Sequence, residues 1–565
     1  MARQKMRKKS GAGIVLAVVV IAAVAAVAGL IIYRKAPTSA KMPLSAYFGT
    51  TGEDSSVIIM LNGQKADCAG IVKDGRVYLP QNFVQDELNK RLYLDDASGN
   101  ILYADGNCVI TIKPGENINY DDEGGQHSFD VPVMIQENDT RYLSIDYVKS
   151  CSDMDYNFYD SPARVVIEND DYTNIYATAK KKIKVRYRGG VKSKILEELD
   201  KGTELVYRKA VDEWAEVQTP SGVVGYVPAK DLDDGTTKTR QSNYTHEISS
   251  IKKEHKISLV WFQIGGKAGN SNIDNLIANT SGINTISPTW YAVTSEDGSL
   301  SDYSSADFVK AMHARGIEVW PLVSDFENSV NSKKLLSSEQ ARHNMIDKLT
   351  GDAARYGYDG INIDFERVTK DSGDDYLQFI RELSVECRRK NIVLSIDNYK
   401  AEAYNSHYDM EEQGIYADYV ILMGYDEHYA GSESGSVASI GFVEDGIKKA
   451  LKSVPADKLV NAVPFYTRIW TIKDGTTTSR AVGMQTAIDD LSKNGAPAIW
   501  DDTVCQYFGS YEKNGETVKI WVEEDRSIEE KLKVMDNYGL AGVGAWKLGL
   551  EKNSVWSVIS RYTAG

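Results

Sequence analysis

The chain has 565 residues, 42% of them hydrophobic and 26% charged, a make-up that suits folded domains and excludes wholesale disorder. That length exceeds one compact core, so roughly three or more domains are expected. A net charge of −15 argues against nucleic acid as a partner, because neutralising phosphate takes clustered Lys and Arg.

From Gly11 to Tyr33 no residue is charged, and Ile14 to Ile32 is almost purely Ile, Val, Leu and Ala. At about 1.5 Å per residue, a helix of that length crosses the roughly 30 Å hydrocarbon core of a bilayer. Arg3, Lys5, Arg7, Lys8 and Lys9 precede it and only Arg34 and Lys35 follow. The basic excess places residues 1–10 in the cytoplasm and the rest of the chain outside the cell membrane. A cleaved signal peptide, cut near Ser39-Ala40, is the alternative. The apolar run is longer than a usual signal core and favours a retained single-pass anchor over residues 11–33. Residues 34–56, rich in small and polar side chains, read as a linker.

A weak internal repeat follows. Val77-Tyr78-Leu79 with Phe83-Val84 recurs as Arg141-Tyr142-Leu143 with Tyr147-Val148, at an offset of 64 residues, and Ile101-Leu102 and Val165-Val166 share that offset. Residues 57–170 are therefore expected to form one α+β domain of two related halves. The stretch resembles the N-terminal domain of copper amine oxidases, although no histidine cluster supports copper, and it reads as a spacer or wall-binding module. Cys68, Cys108, Cys151, Cys387 and Cys505 are scattered, odd in number and without C-x-x-C spacing, which fits neither a disulfide framework nor a zinc site. A single bridge inside the first domain stays open.

Residues 180–234 hold short alternating strands, among them Ile183–Arg186, Glu204–Tyr207 and Trp214–Val217, ending in Gly225-Tyr226-Val227. The arrangement is similar to bacterial Src-homology-3-like domains, small all-β barrels often appended to cell-wall enzymes. From about residue 255 strands alternate with helices. Apolar runs recur at Ser258–Ile264, Ile283–Trp290, Ile317–Val323, Gly360–Phe365, Ile392–Ile396, Tyr419–Met423, Leu459–Phe465 and Gly542–Trp546. Helical periodicity lies between most pairs, so residues 255–562 are expected to form an α/β fold, a (β/α)8 TIM barrel. An insertion sits between strands 7 and 8, where Gln506–Tyr511 and Val518–Val522, joined by Asn514-Gly515, predict a hairpin.

The chemistry concentrates in Tyr358-Asp359-Gly360-Ile361-Asn362-Ile363-Asp364-Phe365-Glu366. Alternation along a strand turns Ile361, Ile363 and Phe365 toward the helices and Asn362, Asp364 and Glu366 into the barrel. Three polar side chains on an inner face are costly unless they lie near the open mouth, and Glu366 ends the strand where barrel active sites are built. A metal site would need more converging ligands, and the seven histidines show no ligand spacing. No metal and no cofactor is expected.

This segment resembles the D-G-x-D-x-D-x-E signature of glycoside hydrolase family 18, which contains chitinases, endo-β-N-acetylglucosaminidases and spore-cortex-lytic enzymes. Met423-Gly424-Tyr425-Asp426 is similar to the family's sixth-strand M-x-Y-D, Pro464-Phe465-Tyr466 to its seventh-strand aromatic, and Trp546 to its eighth-strand tryptophan. Asn362 stands where many members carry an aspartate, a variant that resembles the cortical-fragment-lytic branch acting on peptidoglycan. It puts the family's sharing of a proton between two aspartates in doubt. The resemblance implies substrate-assisted, retaining catalysis. Glu366 would be the acid and base, Asp364 the partner of the sugar amide N–H, and Tyr425 the donor to the acetyl oxygen. Asn362, Asp359, Asp426, Tyr466 and Trp546 would bind substrate. The expected protein is a membrane-anchored, extracytoplasmic hydrolase of β-1,4-linked N-acetylglucosaminyl bonds in peptidoglycan. Its rivals are a chitinase or endo-β-N-acetylglucosaminidase, and a non-catalytic carbohydrate-binding protein on the same barrel.

Overall fold

The computed structural model describes residues 11–50, 55–169, 172–242, 244–246 and 248–564; the basic tail expected in residues 1–10 lies outside them. The chain divides into two compact units, Met1–Lys90 with Pro114–Asn117 and Asp130–Thr245, and Arg91–Lys113 with Ile118–Phe129 and His246–Gly565.

The first unit starts with a helix, Gly11–Lys35, whose stretch Ile14–Lys35 is long and apolar enough to cross a membrane, with a mean hydropathy of 3.2. Two sheets follow. The first runs in the order Met154–Asp160, Ala163–Asn169, Ser56–Leu61, Gln64–Lys73, Arg76–Pro80, Thr140–Ser144 and Met134–Glu137. The two copies of the sequence repeat meet at its fifth and sixth strands, where Leu79 stands opposite Leu143 in an antiparallel pair. Each copy then turns into a short helix, Gln81–Glu87 or Ile145–Ser150, that buries Phe83 and Val84 or Ile145 and Val148. The second sheet is antiparallel and seven-stranded, wider than the expected small barrel, because Thr173–Thr178 and Thr236–Thr239 pair with each other and extend it. Ala177, Val185, Leu205, Val217 and Val227 form its core. All five cysteines are unpaired.

The second unit is a TIM-barrel-like parallel sheet. Its strands are β1 (Ile257–Phe262), β2 (Thr285–Pro288, resuming at Tyr291–Ala292), β3 (Glu318–Val319, resuming at Leu322–Ser324), β4 (Gly360–Asp364), β5 (Val393–Asn398), β6 (Tyr419–Met423), β7 (Leu459–Pro464) and β8 (Gly542–Trp546). Each pairs in parallel with the next, and β8 pairs with β1. Burial on both faces accounts for the near-continuous apolar runs seen in the sequence. Helix starts are capped by side chains that satisfy free backbone N–H groups: Ser305 accepts from Phe308, Ser338 from Ala341 and Ser439 from Phe442. The helix Glu339–Tyr356 ends at Gly357 in the left-handed region (φ 80°), and the chain turns there into β4.

Behind β4 the helices are tied by buried charge. Arg342 forks onto Glu382 at 2.8 and 3.0 Å, and Arg381 and Arg91 both reach Glu412 at 2.9 Å. Paired in this way the charges keep their hydrogen bonds inside the protein, whereas a lone one there would be costly. Arg91 opens a segment that the sequence assigns to residues 57–170. Between Arg91 and Phe129, short strands from Tyr93–Leu94 to Gln126–Ser128 form an antiparallel sheet, and Tyr93, Leu102, Ala104 and Val109 join the barrel core. Tyr93 donates to Asp375 (2.7 Å) and Arg389 to both oxygens of Asp122 (2.7 and 2.9 Å). The insertion after β7 folds as an antiparallel sheet of five strands with the helix Met484–Lys493. Its hairpin spans Gln506–Lys513 and Glu516–Val522, and Asn514 (φ 54°) and Gly515 (φ 77°) make the left-handed turn that N-G signals.

Candidate active site

Asn362 is fully buried in the barrel and every polar atom of its amide is used. Its Oδ1 accepts from Trp261 Nε1 (2.9 Å) and Ser287 Oγ (3.1 Å), and its Nδ2 donates to Ser395 Oγ (3.1 Å) and Asp397 Oδ1 (2.8 Å). Asn362 therefore works as a junction between β1, β2, β4 and β5. One turn of the pleat onward, Asp364 is buried with its Oδ1 unpartnered. A buried polar atom left without a partner is rare and calls for a ligand or a function. Phe365 points the other way and stacks on Phe379 of the helix layer (5.6 Å), which fixes the alternation of the strand.

Three residues that the sequence reading passed over complete the acid cluster. Asp325, just past β3, accepts the backbone N–H groups of Glu366 (2.8 Å) and Arg367 (3.0 Å) and so pins the chain at the end of β4. Asp397, on β5, brings a second buried aspartate beside Asn362. Tyr399 donates its hydroxyl to Glu366 Oε2. The signal for Asp397 was present: Ser395 and Asp397 alternate with Leu394 and Ile396 as inward polar positions.

Burial dominates the electrostatics. It pushes the Asp364 and Asp397 carboxyls far above the usual carboxylate range, with Asp364 pushed further by the charges of Asp397 and Glu366. Glu366 is also raised, first by burial and then by Asp325, against the opposing hydrogen bond from Tyr399. Asp325 is pushed up to about 6 by burial, partly offset by the two backbone donors. Carboxyls gathered this closely in a buried site resist ionising all together.

The sixth- and seventh-strand residues meet at the same end of the barrel. Gly424 lies so close to β7 that an added Cβ would meet Ala462 O at 2.7 Å, so only glycine lets the chain carry Tyr425 inward. Tyr425 is buried and packs edge-on to Tyr466 at 6.2 Å. Asp426 takes the left-handed region (φ 59°) and accepts from the Tyr466 hydroxyl at 2.5 Å. Trp546, half-buried at the end of β8, packs against Trp261 at 5.9 Å, and Trp261 in turn holds Asn362. A cavity of about 430 Å³ opens beside Glu366, with Asp397, Tyr399, Tyr408 and Met423 among its walls.

Asp359 does not join this group. It precedes β4, where its carboxylate meets His313 (2.8 Å) and the N–H of Val319 (2.9 Å). It stands five residue steps before Asp364 along the strand, about 16 Å at the usual rise. Its role is to tie the base of β4 to β3 and the preceding helix, and the expected contact with substrate is corrected accordingly. Among the described residues no cluster of His, Cys, Asp and Glu is arranged to hold a metal.

Comparison with known proteins agrees with this geometry. Residues 281–551 match Glycosyl hydrolases family 18, and residues 60–167 match the Copper amine oxidase N-terminal domain. The Cortical fragment-lytic enzyme of Bacillus subtilis (strain 168) is 30% identical over 253 residues, which cover 42% of this chain and 58% of that protein. Glycosylase YvbX of the same organism is 28% identical over 259 residues, 44% of this chain and 75% of that protein. Among solved structures, the Bacillus cereus spore cortex-lytic enzyme SleL superposes with a TM-score of 0.50 at 22% identity, covering 56% of this chain and 76% of that one, a likeness of fold. The barrel that gathers Asp364, Glu366, Tyr425 and Trp546 lies almost wholly within the residues that match Glycosyl hydrolases family 18.

Proposed function

We propose that the chain is a membrane-anchored, extracytoplasmic glycoside hydrolase that cleaves β-1,4-linked N-acetylglucosaminyl bonds in peptidoglycan, with retention and with the substrate supplying the nucleophile. The observation that carries the reading is the pair Asp364–Glu366. One carboxyl is buried with a free oxygen, and the other lies two residues on at the barrel mouth, held in place by Asp325 and Tyr399. The acetamido oxygen of the bound sugar attacks the anomeric carbon as the bond to the leaving oxygen breaks, and Glu366 gives that oxygen its proton. Water then attacks the oxazolinium and yields its proton to Glu366, which restores the acid and the acetamido group. Asp364 accepts the amide N–H at its free oxygen and stabilises the positive charge that develops. Tyr425 donates to the acetyl oxygen, Asp426 and Tyr466 hold the sugar, and Trp546 offers an apolar face to the ring.

Asn362 cannot share a proton with Asp364; Asp397, hydrogen-bonded to Asn362 and raised by burial, takes the place of the second acid. The preference for peptidoglycan rests on the Cortical fragment-lytic enzyme relative and on a module at residues 180–234 similar to Src-homology-3-like domains of wall enzymes. Parallel digestion of purified peptidoglycan and chitin, with mass analysis of the new ends, tests it. Release of N-acetylglucosamine reducing ends from peptidoglycan is expected; cleavage of chitin alone would favour a chitinase, and binding without cleavage of either a carbohydrate-binding protein. The anchor rests on the Gly11–Lys35 helix. Protease added to wall-free cells should digest residues beyond 40 and spare the N-terminal tail, whereas a soluble form starting near residue 40 would show a cleaved signal.

A further inference from the structure

The catalytic carboxylates lie in one sector of the barrel mouth: Asp325 follows β3, Glu366 follows β4, Asp397 is on β5 and Asp426 follows β6. β8 stands four strands away from β4 in either direction around the sheet, on the opposite side of the mouth. A sugar resting on Trp546 with its leaving oxygen at Glu366 would have β8 and β1 beside the retained part of its glycan.

Lys547 directly follows Trp546 on that side. Its Nζ donates to Gln263 Oε1, just past β1, at 2.6 Å. Gln263 is neutral and exposed, and among the described residues no ion pair is formed by Lys547. Lys547 is itself half-buried, and burial lowers its pKa with no opposing charge to restore it. Lys267, exposed on the loop after β1, likewise has no ion-pair partner among the described residues. An ammonium withdrawn from water against a neutral amide is short of compensation, and an anion placed beside it supplies what is missing. In a chain of net charge −15, two cations without a carboxylate partner on this side of the mouth favour an acidic glycan there.

We propose that Lys547 binds a carboxylate carried by the retained side of the glycan, so that the site selects acidic strands over neutral ones. This rests on the functional reading above and extends it from the bond cleaved to the substituents read. In peptidoglycan that carboxylate is the lactyl group of the neighbouring muramoyl sugar, or belongs to the stem peptide attached there; chitin has neither.

The test uses the full chain carrying Glu366→Gln, so that binding is read without turnover. Affinities are compared for stem-stripped muramoyl strands, strands with intact stems, the same strands with their carboxyls amidated, and chitin oligosaccharides of equal length. Adding Lys547→Gln is expected to lower the ratio of acidic-strand to chitin affinity by about five- to tenfold, and the lowered ratio should match that of amidated strands. Lys547→Arg should keep most of the ratio, and the preference should weaken with added salt. A ratio that falls for stem-stripped strands names the lactyl carboxylate; one that falls only with intact stems names the peptide. An unchanged ratio, or equal losses on chitin and on acidic strands in a protein that unfolds at the parent's temperature, would overturn the role of Lys547. If the Glu366→Gln protein binds none of these glycans, the functional reading itself fails, and this extension with it.

Discussion

Glu366→Gln is expected to lower turnover on N-acetylated glycans about 10²–10⁴-fold while glycan binding persists. The substitution keeps the shape of the side chain. The backbone of residue 366 stays fixed by Asp325, and the Tyr399 hydroxyl still finds an acceptor. Only the capacity to give up a proton is lost. The pH profile of the parent reports the same group. Burial raises the Glu366 carboxyl, so the acid form persists toward neutrality, and activity falls on the alkaline side as the pH rises through that raised value. In Glu366→Gln the residual rate should no longer follow that limb. Single-turnover rates against pH for both proteins, with binding measured alongside, check the assignment. Near-parental turnover on every glycan that the parent cleaves would show that another group is the acid.

The residues expected to carry chemistry at the ends of β4, β6, β7 and β8 converge in space, because strand periodicity and barrel topology together decide which side chains face the mouth. The exception, Asp359, stands at the other end of β4, and motif membership alone could not tell one end of a strand from the other. Asp325 and Tyr399 were not legible for a different reason. They act through contacts that cross from one strand end to the next, to the N–H of Glu366 and to its carboxylate, and no spacing along the chain encodes such a contact. The break in β2 before Tyr291 and that in β3 before Leu322 escaped in the same way, since an unbroken apolar run reads as one strand. The segment from Arg91 to Phe129 is instructive too. Its repeat and its family match continue the N-terminal domain, yet the partners of Arg91, Tyr93 and Asp122 are Glu412, Asp375 and Arg389 of the barrel helices. Local pattern gives the strands of such a segment, while tertiary contacts decide which core it joins.

Asp364→Asn is expected to depress turnover about 10²–10³-fold with little loss of ground-state binding, because the missing charge matters mainly as positive charge develops on the sugar. The amide oxygen of Asn can still accept the acetamido N–H, so the defect should appear in kcat rather than in KM. Stability should move the other way. The Asp364 carboxyl is raised well above its unfolded value by burial, so the stability it lends is full below the unfolded pKa and is lost as the pH rises through the folded one. Asn does not titrate, and the variant should match or exceed the parent in thermal stability at neutral pH, by a margin that widens as pH increases. A fall in turnover together with a fall in stability would mean that Asp364 holds the fold rather than the transition state. The substrate must show the same dependence. Glycans without the 2-acetamido group should be inert, a thiazoline analogue of the oxazolinium should inhibit, and the first product should keep the β configuration. An inverted first product, or efficient cleavage of plain glucans, would rule out the sugar's own amide as the nucleophile, because attack by that amide covers one face of the anomeric carbon and leaves water the face the leaving group vacated, and a plain glucan has no such amide.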